Sequence, residues 1–240
     1  MKNEYEATQD FNVITKFLHS TRYSNLIEVA GRVSRLRGAL NVLDIGCGTC
    51  RAYEALDQSG LKFRYRGIEI REDFAELVRA RYESRENFTI SVGTVSNFLH
   101  SFDGYDLIIG LESFEHIPEP LVVRVIEAIA ESDVPYIYIT VPNEVGPALL
   151  VKNFGSMLMG YSRHTEYSPI ETIRAGVYQL NKVGRHGTGH KGFDWHWLAQ
   201  TLRQHFTIIR NTRSPSEYIP LPFSPSVGFV CRRDHIKDDI

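Results

Sequence analysis

Cysteine is scarce in this chain of 240 residues: Cys47, Cys50 and Cys231 are all it has. Three thiols cannot build a disulfide framework, and their scarcity points to a reducing, cytoplasmic setting. Cys47 and Cys50 form a C-x-x-C, but no second pair accompanies them, so the spacing does not read as a zinc site. No stretch approaches the roughly 20 apolar residues of a membrane span. The first ten residues carry Glu4, Glu6 and Asp10 and no apolar core, which is not the pattern of a signal peptide. A basic excess is missing too: 27 Lys and Arg stand against 29 Asp and Glu, for a net charge of −2. That balance argues against a long polynucleotide partner. Internal repeats, low-complexity tracts and an interdomain linker are also absent.

The chain has instead the make-up of a globular domain, with 42% hydrophobic and 23% charged residues. Its length suits one α/β domain spanning 1–240. Residues 11–19 and 23–37 read as two N-terminal helices within 1–38, with Leu26, Ile27, Ala30, Val33 and Leu36 at helical spacing and Ser20 or Thr21 as a cap between them. Short apolar strands follow at 41–45, 64–70, 88–92, 105–111 and 136–141, with helices at 51–58, 72–85 and 121–132. Strands alternating with helices imply a doubly wound, Rossmann-like parallel sheet covered on both faces. The rhythm breaks at 145–192, an aromatic and glycine-containing insertion without clear strands, of the kind that covers a substrate. A helix at 194–205 and a strand pair at 206–213 and 226–233 close the chain.

The segment Val42-Leu43-Asp44-Ile45-Gly46-Cys47-Gly48-Thr49-Cys50 carries most of the functional information. Glycines after a first strand let backbone approach a ligand beyond the strand ends. Alone that is weak evidence, because every doubly wound fold needs tight turns. Asp44 sharpens it. A carboxylate here repels the pyrophosphate of a dinucleotide and attracts a cation, such as the ammonium and sulfonium of S-adenosylmethionine. Arg51 also stands where G-x-G-x-x-G requires its third glycine. Glu69 ends the second strand, 23 residues past Gly46, where a carboxylate can accept both hydroxyls of a ribose. As purely structural groups, Asp44 would be a helix cap or strand end and Glu69 a cap for the helix near Glu72.

V-L-D-I-G-C-G-T resembles the first motif of the class I S-adenosylmethionine-dependent methyltransferases, and Gly67-Ile68-Glu69-Ile70 resembles their ribose-binding strand end. Tyr105 to Ile109, followed by Glu112-Ser113-Phe114-Glu115-His116-Ile117-Pro118-Glu119-Pro120, is similar to their fourth strand and its continuation. The resemblance covers about 40–143 plus the terminal helix and strand pair. It implies a seven-stranded sheet with an antiparallel last strand. It also implies cofactor contacts at Asp44, Gly46, Cys47, Gly48, Glu69, Ile70, Thr94, Val95 and Leu111. Two positions depart from the pattern: Cys50 replaces the usual third glycine, and Thr94 replaces a frequent acid near the adenine amine, leaving Thr94 or the Val95 amide for that contact.

The E-x-x-E-H segment, with the later Gly187-Thr188-Gly189-His190, resembles ubiquinone-pathway O-methyltransferases, and small-RNA 2′-O-methyltransferases use a similar segment. That likeness implies a Mg2+ or Mn2+ site at Glu112, Glu115, His116 and His190. Helical spacing would put Glu112 on one face with Glu115 and His116. In the blander reading these side chains only shape the loop. Without a metal, His116 or His190 is the candidate general base, with Glu115 beside it. In the insertion, Lys152, Arg163, Arg174, Lys182, Arg185 and Lys191 outnumber Glu166 and Glu171. That charge would steer an anionic substrate, or else is a solvated face. Tyr161, Tyr167 and Tyr178 either line a pocket or pack the insertion, and at least one of Trp195 and Trp197 belongs to the core.

Methyl transfer is an in-line displacement on carbon, so orientation does most of the work and a nucleophile triad is not needed. None is present. The expected acceptor is a hydroxylated small molecule or sugar. Rival readings are a small-molecule N-methyltransferase, an RNA methyltransferase, a non-catalytic binding module on the same fold, and an NAD-dependent dehydrogenase, which Asp44 disfavours.

Overall fold

The computed structural model describes residues 13–158, 167–184, 190–234 and 236. The segment Gly187 to Gly189 and the side chains of Tyr161, Arg163, Glu166 and Arg185 lie outside them. Seven strands form one sheet: β1 (Leu40–Ile45), β2 (Phe63–Glu69), β3 (Phe88–Val92), β4 (Leu107–Leu111), β5 (Tyr136–Pro142), β6 (Phe206–Ser214) and β7 (Ser226–Arg233). Their order is β3-β2-β1-β4-β5-β7-β6. Neighbours from β3 through β5 pair in parallel, and β7 runs antiparallel to both β5 and β6. This is the arrangement expected from the sequence.

The strand sequences explain why the sheet is covered on both sides. Every residue of β5 is buried, which suits a near-continuous apolar run rather than an alternating one. Leu43, Ile45, Ile108, Ile137 and Ile139 share one core with α4 (Glu119–Glu131) and α7 (Trp195–Arg203). Val42, Tyr65, Ile109, Tyr136 and Tyr138 face the other way, against α1 (Val13–Arg37) and α2 (Arg51–Gln58). The helix α3 (Glu72–Tyr82) joins β2 to β3 and adds Val78 and Tyr82 to the second core. The strand order reverses between β1 and β4. A doubly wound sheet opens its ligand crevice at that point, beyond the carboxyl ends of the strands.

One expectation is corrected, and one region is more regular than its composition suggested. The N-terminal region is one continuous helix from Val13, not two helices broken at Ser20–Thr21. Thr21 caps nothing: its hydroxyl donates to the Pro215 carbonyl at 3.1 Å, so a tertiary partner satisfies it inside the helix. The insertion also holds regular structure, with α5 (Gly146–Leu158) and α6 (Pro169–Gly176) packed on each other. Ser168 and Glu171 form a reciprocal capping box at the start of α6. The Ser-x-x-Glu spacing was visible in the sequence; the aromatic and glycine content of the region masked it.

Candidate active site

The first βα turn is built from left-handed backbone. Gly46 has φ +73°, Gly48 φ +54° and Cys50 φ +59°. A Cβ on Gly46 would stand 2.6 Å from the Ser113 Cβ, whose hydroxyl donates to the Ile45 carbonyl at 2.7 Å. The β4 loop therefore packs straight against the glycine turn. Gly46→Ala combines a clash with an unfavourable φ, and is expected to destabilise the fold by about 2–4 kcal/mol. An unchanged Tm on thermal unfolding would show that this packing does not hold. Gly48 differs: a Cβ there would meet nothing within 4 Å, so its outer side faces open space.

The two carboxylates expected at the strand ends are both buried there. Glu69 accepts from the Gly48 amide at 2.7 Å and the Arg71 amide at 2.9 Å, so it clasps the turn from below. Asp44 is 2% exposed. Its Oδ2 accepts from the Tyr65 hydroxyl at 2.5 Å, while Oδ1 has no hydrogen-bond partner. Burial raises its pKa to about 7, the Tyr65 hydrogen bond opposing and Glu69 reinforcing the shift. Next to Glu69, the Ile70 side chain is 68% exposed. Across the crevice Thr94 precedes a 3₁₀ turn that begins at Val95, a core residue, and Leu111 ends β4 half-buried. Cys47 is buried with its Sγ over Gly67, where a Cβ would come within 2.5 Å of it.

At the mouth of β4 the chain turns sharply. Glu112 has φ +55°, so no helical turn sets it beside Glu115, and its side chain goes elsewhere. Ser226 donates to its Oε1 at 2.6 Å and Arg22 of α1 approaches the same oxygen at 3.4 Å. Glu112 thus does not join the expected ligand group. The other three do: ligand atoms of Glu115, His116 and His190 lie within 4.8 Å of one another. His116 Nε2 is 3.8 Å and His190 Nδ1 3.7 Å from Glu115 Oε1, and the two rings meet edge to face at 4.9 Å. The Glu115 side chain is fully buried, and neither of its oxygens has a hydrogen-bond partner. Burial first, and Glu112 second, push its pKa well above the carboxylate range. Burial lowers that of His116.

Sequence reasoning missed a third acid. Glu144, fully buried just past β5, is held by Lys152 of α5 at 2.8 Å. The same ammonium donates to the carbonyls of Asn143 and Pro225, pinning the insertion to the ends of β5 and β7. Lys191 pairs with Glu171 in the same way. Two of the cations credited with attracting an anion therefore serve the insertion's own structure. Tyr167 is buried and accepts from the Gly192 amide at 2.7 Å, and so packs the insertion. Trp195 is core, its indole donating to Asn143.

Residues 42–132 match a family model described as a methyltransferase domain. No curated protein matches the chain by sequence. Solved structures do resemble it. An S-adenosylmethionine-dependent methyltransferase from Clostridium acetobutylicum ATCC 824 aligns with TM-score 0.64 at 11% identity, covering 96% of this chain and 98% of its own. The magnesium protoporphyrin IX methyltransferase of Synechocystis PCC 6803, with bound S-adenosylhomocysteine, gives 0.60 at 15%, covering 92% and 88%. The N-methyltransferase NodS of Bradyrhizobium japonicum WM9, also bound to S-adenosylhomocysteine, gives 0.58 at 13%, covering 97% and 94%. At such identities the likeness speaks for the fold, and the matched segment speaks for the chemistry. That segment supplies the first four strands of the sheet and the turn that opens its crevice; it is similar to methyltransferase domains, and the chain as a whole has the fold of S-adenosylmethionine-dependent methyltransferases.

Proposed function

We propose that the enzyme O-methylates a hydroxylated small molecule, with S-adenosylmethionine held over the β1 turn and the acceptor oxygen beside Glu115, His116 and His190. Support for the cofactor position comes from the unpartnered Asp44 Oδ1 beneath three left-handed residues, with open space above Gly48. An unsatisfied buried carboxylate oxygen is costly, and a ligand ammonium is the complement it lacks. Glu69 would take the ribose, and the exposed Ile70 would give the adenine an apolar face. A phosphate-bearing dinucleotide does not suit this turn.

The acceptor side rests on one observation: both oxygens of a fully buried glutamate lack hydrogen-bond partners, with two imidazoles beside them. Carboxylate plus two imidazoles fits a divalent ion, and the nitrogen donors favour manganese or another first-row ion over magnesium. When bound, such an ion would lower the pKa of an acceptor hydroxyl and orient it. The protein's own part is to hold the oxygen in line with the methyl carbon, about 3–3.5 Å away, and to exclude water with α5 and α6.

Calorimetry tests the cofactor half: S-adenosylhomocysteine should bind and NAD should not, and the reverse would overturn the reading. Labelled S-adenosylmethionine supplied with a metabolite pool identifies the acceptor. Chelator should stop turnover and Mn2+ restore it; full activity in chelator would leave His116 or His190 as the base. Label appearing on nitrogen would favour the N-methyltransferase reading, and label on RNA, with affinity falling steeply in salt, the RNA reading.

A further inference from the structure

We infer that Tyr65, a residue of β2 outside every recognised motif, is a positioning residue for the cofactor, orienting Asp44 through its hydroxyl. The inference rests on the cofactor reading above. Asp44 pairs with Gly67 across β1 and β2, and Val42 pairs with Tyr65. Side chains two apart on a strand share a face, so Tyr65, Gly67 and Glu69 point the same way as Asp44. Asp44 and Tyr65 are then diagonal neighbours, normally too far apart for a short bond unless a long side chain leans across. Gly67 makes the lean possible. The place its Cβ would occupy lies 3.4 Å from the Tyr65 ring and 2.5 Å from the Cys47 Sγ, so the room of a missing side chain is shared by the phenol and the thiol.

The ring cannot swing away. It stacks on Phe88 at 5.7 Å and meets Tyr53 edge-on at 5.5 Å, inside the second core. The hydroxyl is thereby delivered to Asp44 Oδ2 at 2.5 Å, and Oδ1 is left over. One oxygen of the carboxylate is occupied by the protein, and its partner is reserved for a ligand. A phenol donating to a carboxylate also favours its charged form, which is the form a cationic ligand needs. The ionisable groups around Asp44 among the described residues are Tyr65 and Glu69 of β2 and the thiols of Cys47 and Cys50 in the turn. None of the four is a cation. Tyr65 is the only one whose hydrogen bond favours the ionised carboxylate, and Glu69 opposes it.

The test is calorimetric titration with S-adenosylhomocysteine between pH 5.5 and 8, for the wild type, Tyr65→Phe and Asp44→Asn. Phenylalanine keeps the ring and its packing and removes only the donor. Wild-type affinity is expected to rise with pH as Asp44 ionises, and then level off. Tyr65→Phe should weaken binding at neutral pH by about tenfold, the loss of one hydrogen bond to a charged group, and move the rise to higher pH by about one unit. Asp44→Asn should bind weakly, without that rise. A Tyr65→Phe curve lying on the wild-type curve would sink the inference while leaving the cofactor site intact. Absence of binding by the wild type, or undiminished binding by Asp44→Asn, would instead sink the cofactor reading and this inference with it. Carboxylate NMR on the ligand-free protein gives a second readout: the Asp44 titration should move up in Tyr65→Phe, and an unmoved midpoint would count against the role.

Discussion

Asp44→Asn should produce a protein that is more stable at pH 8 than its parent and binds S-adenosylhomocysteine about a hundredfold more weakly. Both effects have one origin. In the folded chain Asp44 titrates near 7, raised chiefly by burial from an ordinary value of 3.8. A raised carboxyl pKa means the folded state holds a proton that the unfolded chain has already released between those values. Stability contributed by this group is therefore present at low pH and declines as pH rises from about 4 through 7. The shift corresponds to a cost on the order of 4 kcal/mol once the group is ionised. Asparagine removes the charge, keeps an oxygen for Tyr65, and should recover about half of that cost. For a domain of this size, that is a Tm gain of about 4–8 °C. Below pH 4 the gain should vanish. Equal Tm values for the two proteins at pH 8 would show that the carboxylate is compensated in a way the geometry does not reveal.

Glu115→Gln carries the second large expectation. The side chain is fully buried and neither oxygen has a hydrogen-bond partner; His116 and His190 stand 3.8 and 3.7 Å from Oε1, and the Arg22 charge acts on it less than the neighbouring Glu112 does. Glutamine retains the volume and removes the charge. Mn2+ binding, followed by calorimetry or electron paramagnetic resonance, should be lost. Turnover should fall at least about a hundredfold, with affinity for S-adenosylhomocysteine unchanged. A variant that keeps its rate in the absence of any divalent ion would remove the metal from the reaction. One that loses cofactor affinity as well would mean that the β4 loop acts on the β1 turn through Ser113, which packs on Gly46.

The sheet was legible in the sequence because its signals are local: apolar runs of strand length, a glycine turn after the first, and helical periods between them. Those units implied a doubly wound parallel sheet with Asp44 and Glu69 at its strand ends; the seven strands and the antiparallel last one came only from the family resemblance. What could not be read depended on single torsions and long-range partners. Glu112 was assigned to one face with Glu115 on helical spacing, yet a left-handed residue at that position sends its carboxylate to Ser226, 114 residues away. Nothing near Glu112 in the chain foretells that. Glu144 passed unnoticed because a lone acid after a strand is ordinary, and its importance comes from Lys152 on the far side of a turn. Tyr65 was hidden between Arg64 and Arg66 of an ordinary strand, and only the glycine two positions on leaves room for its ring to lean towards Asp44. His190 is the instructive contrast. Its neighbours 187–189 lie outside the described residues, but the histidine itself stands with Glu115 and His116, as the resemblance implied.

The position of β7 governs when the loop after β4 can be completed. It follows β5 and β6 in the chain but lies between them in the sheet, so β6 has no place until β7 has zipped onto β5. Ser226, the first residue of that strand, also supplies the hydroxyl that secures Glu112, and Pro225 just before it receives the Lys152 ammonium. A growing chain can therefore shape the β1 turn from strands already made, while Glu112 waits for a partner 114 positions downstream. Slow, non-local closure of this kind is where folding intermediates tend to collect. An intermediate stalled before β7 docks would have its β1 turn formed while Glu112 still lacked the Ser226 hydroxyl and Lys152 the Pro225 carbonyl.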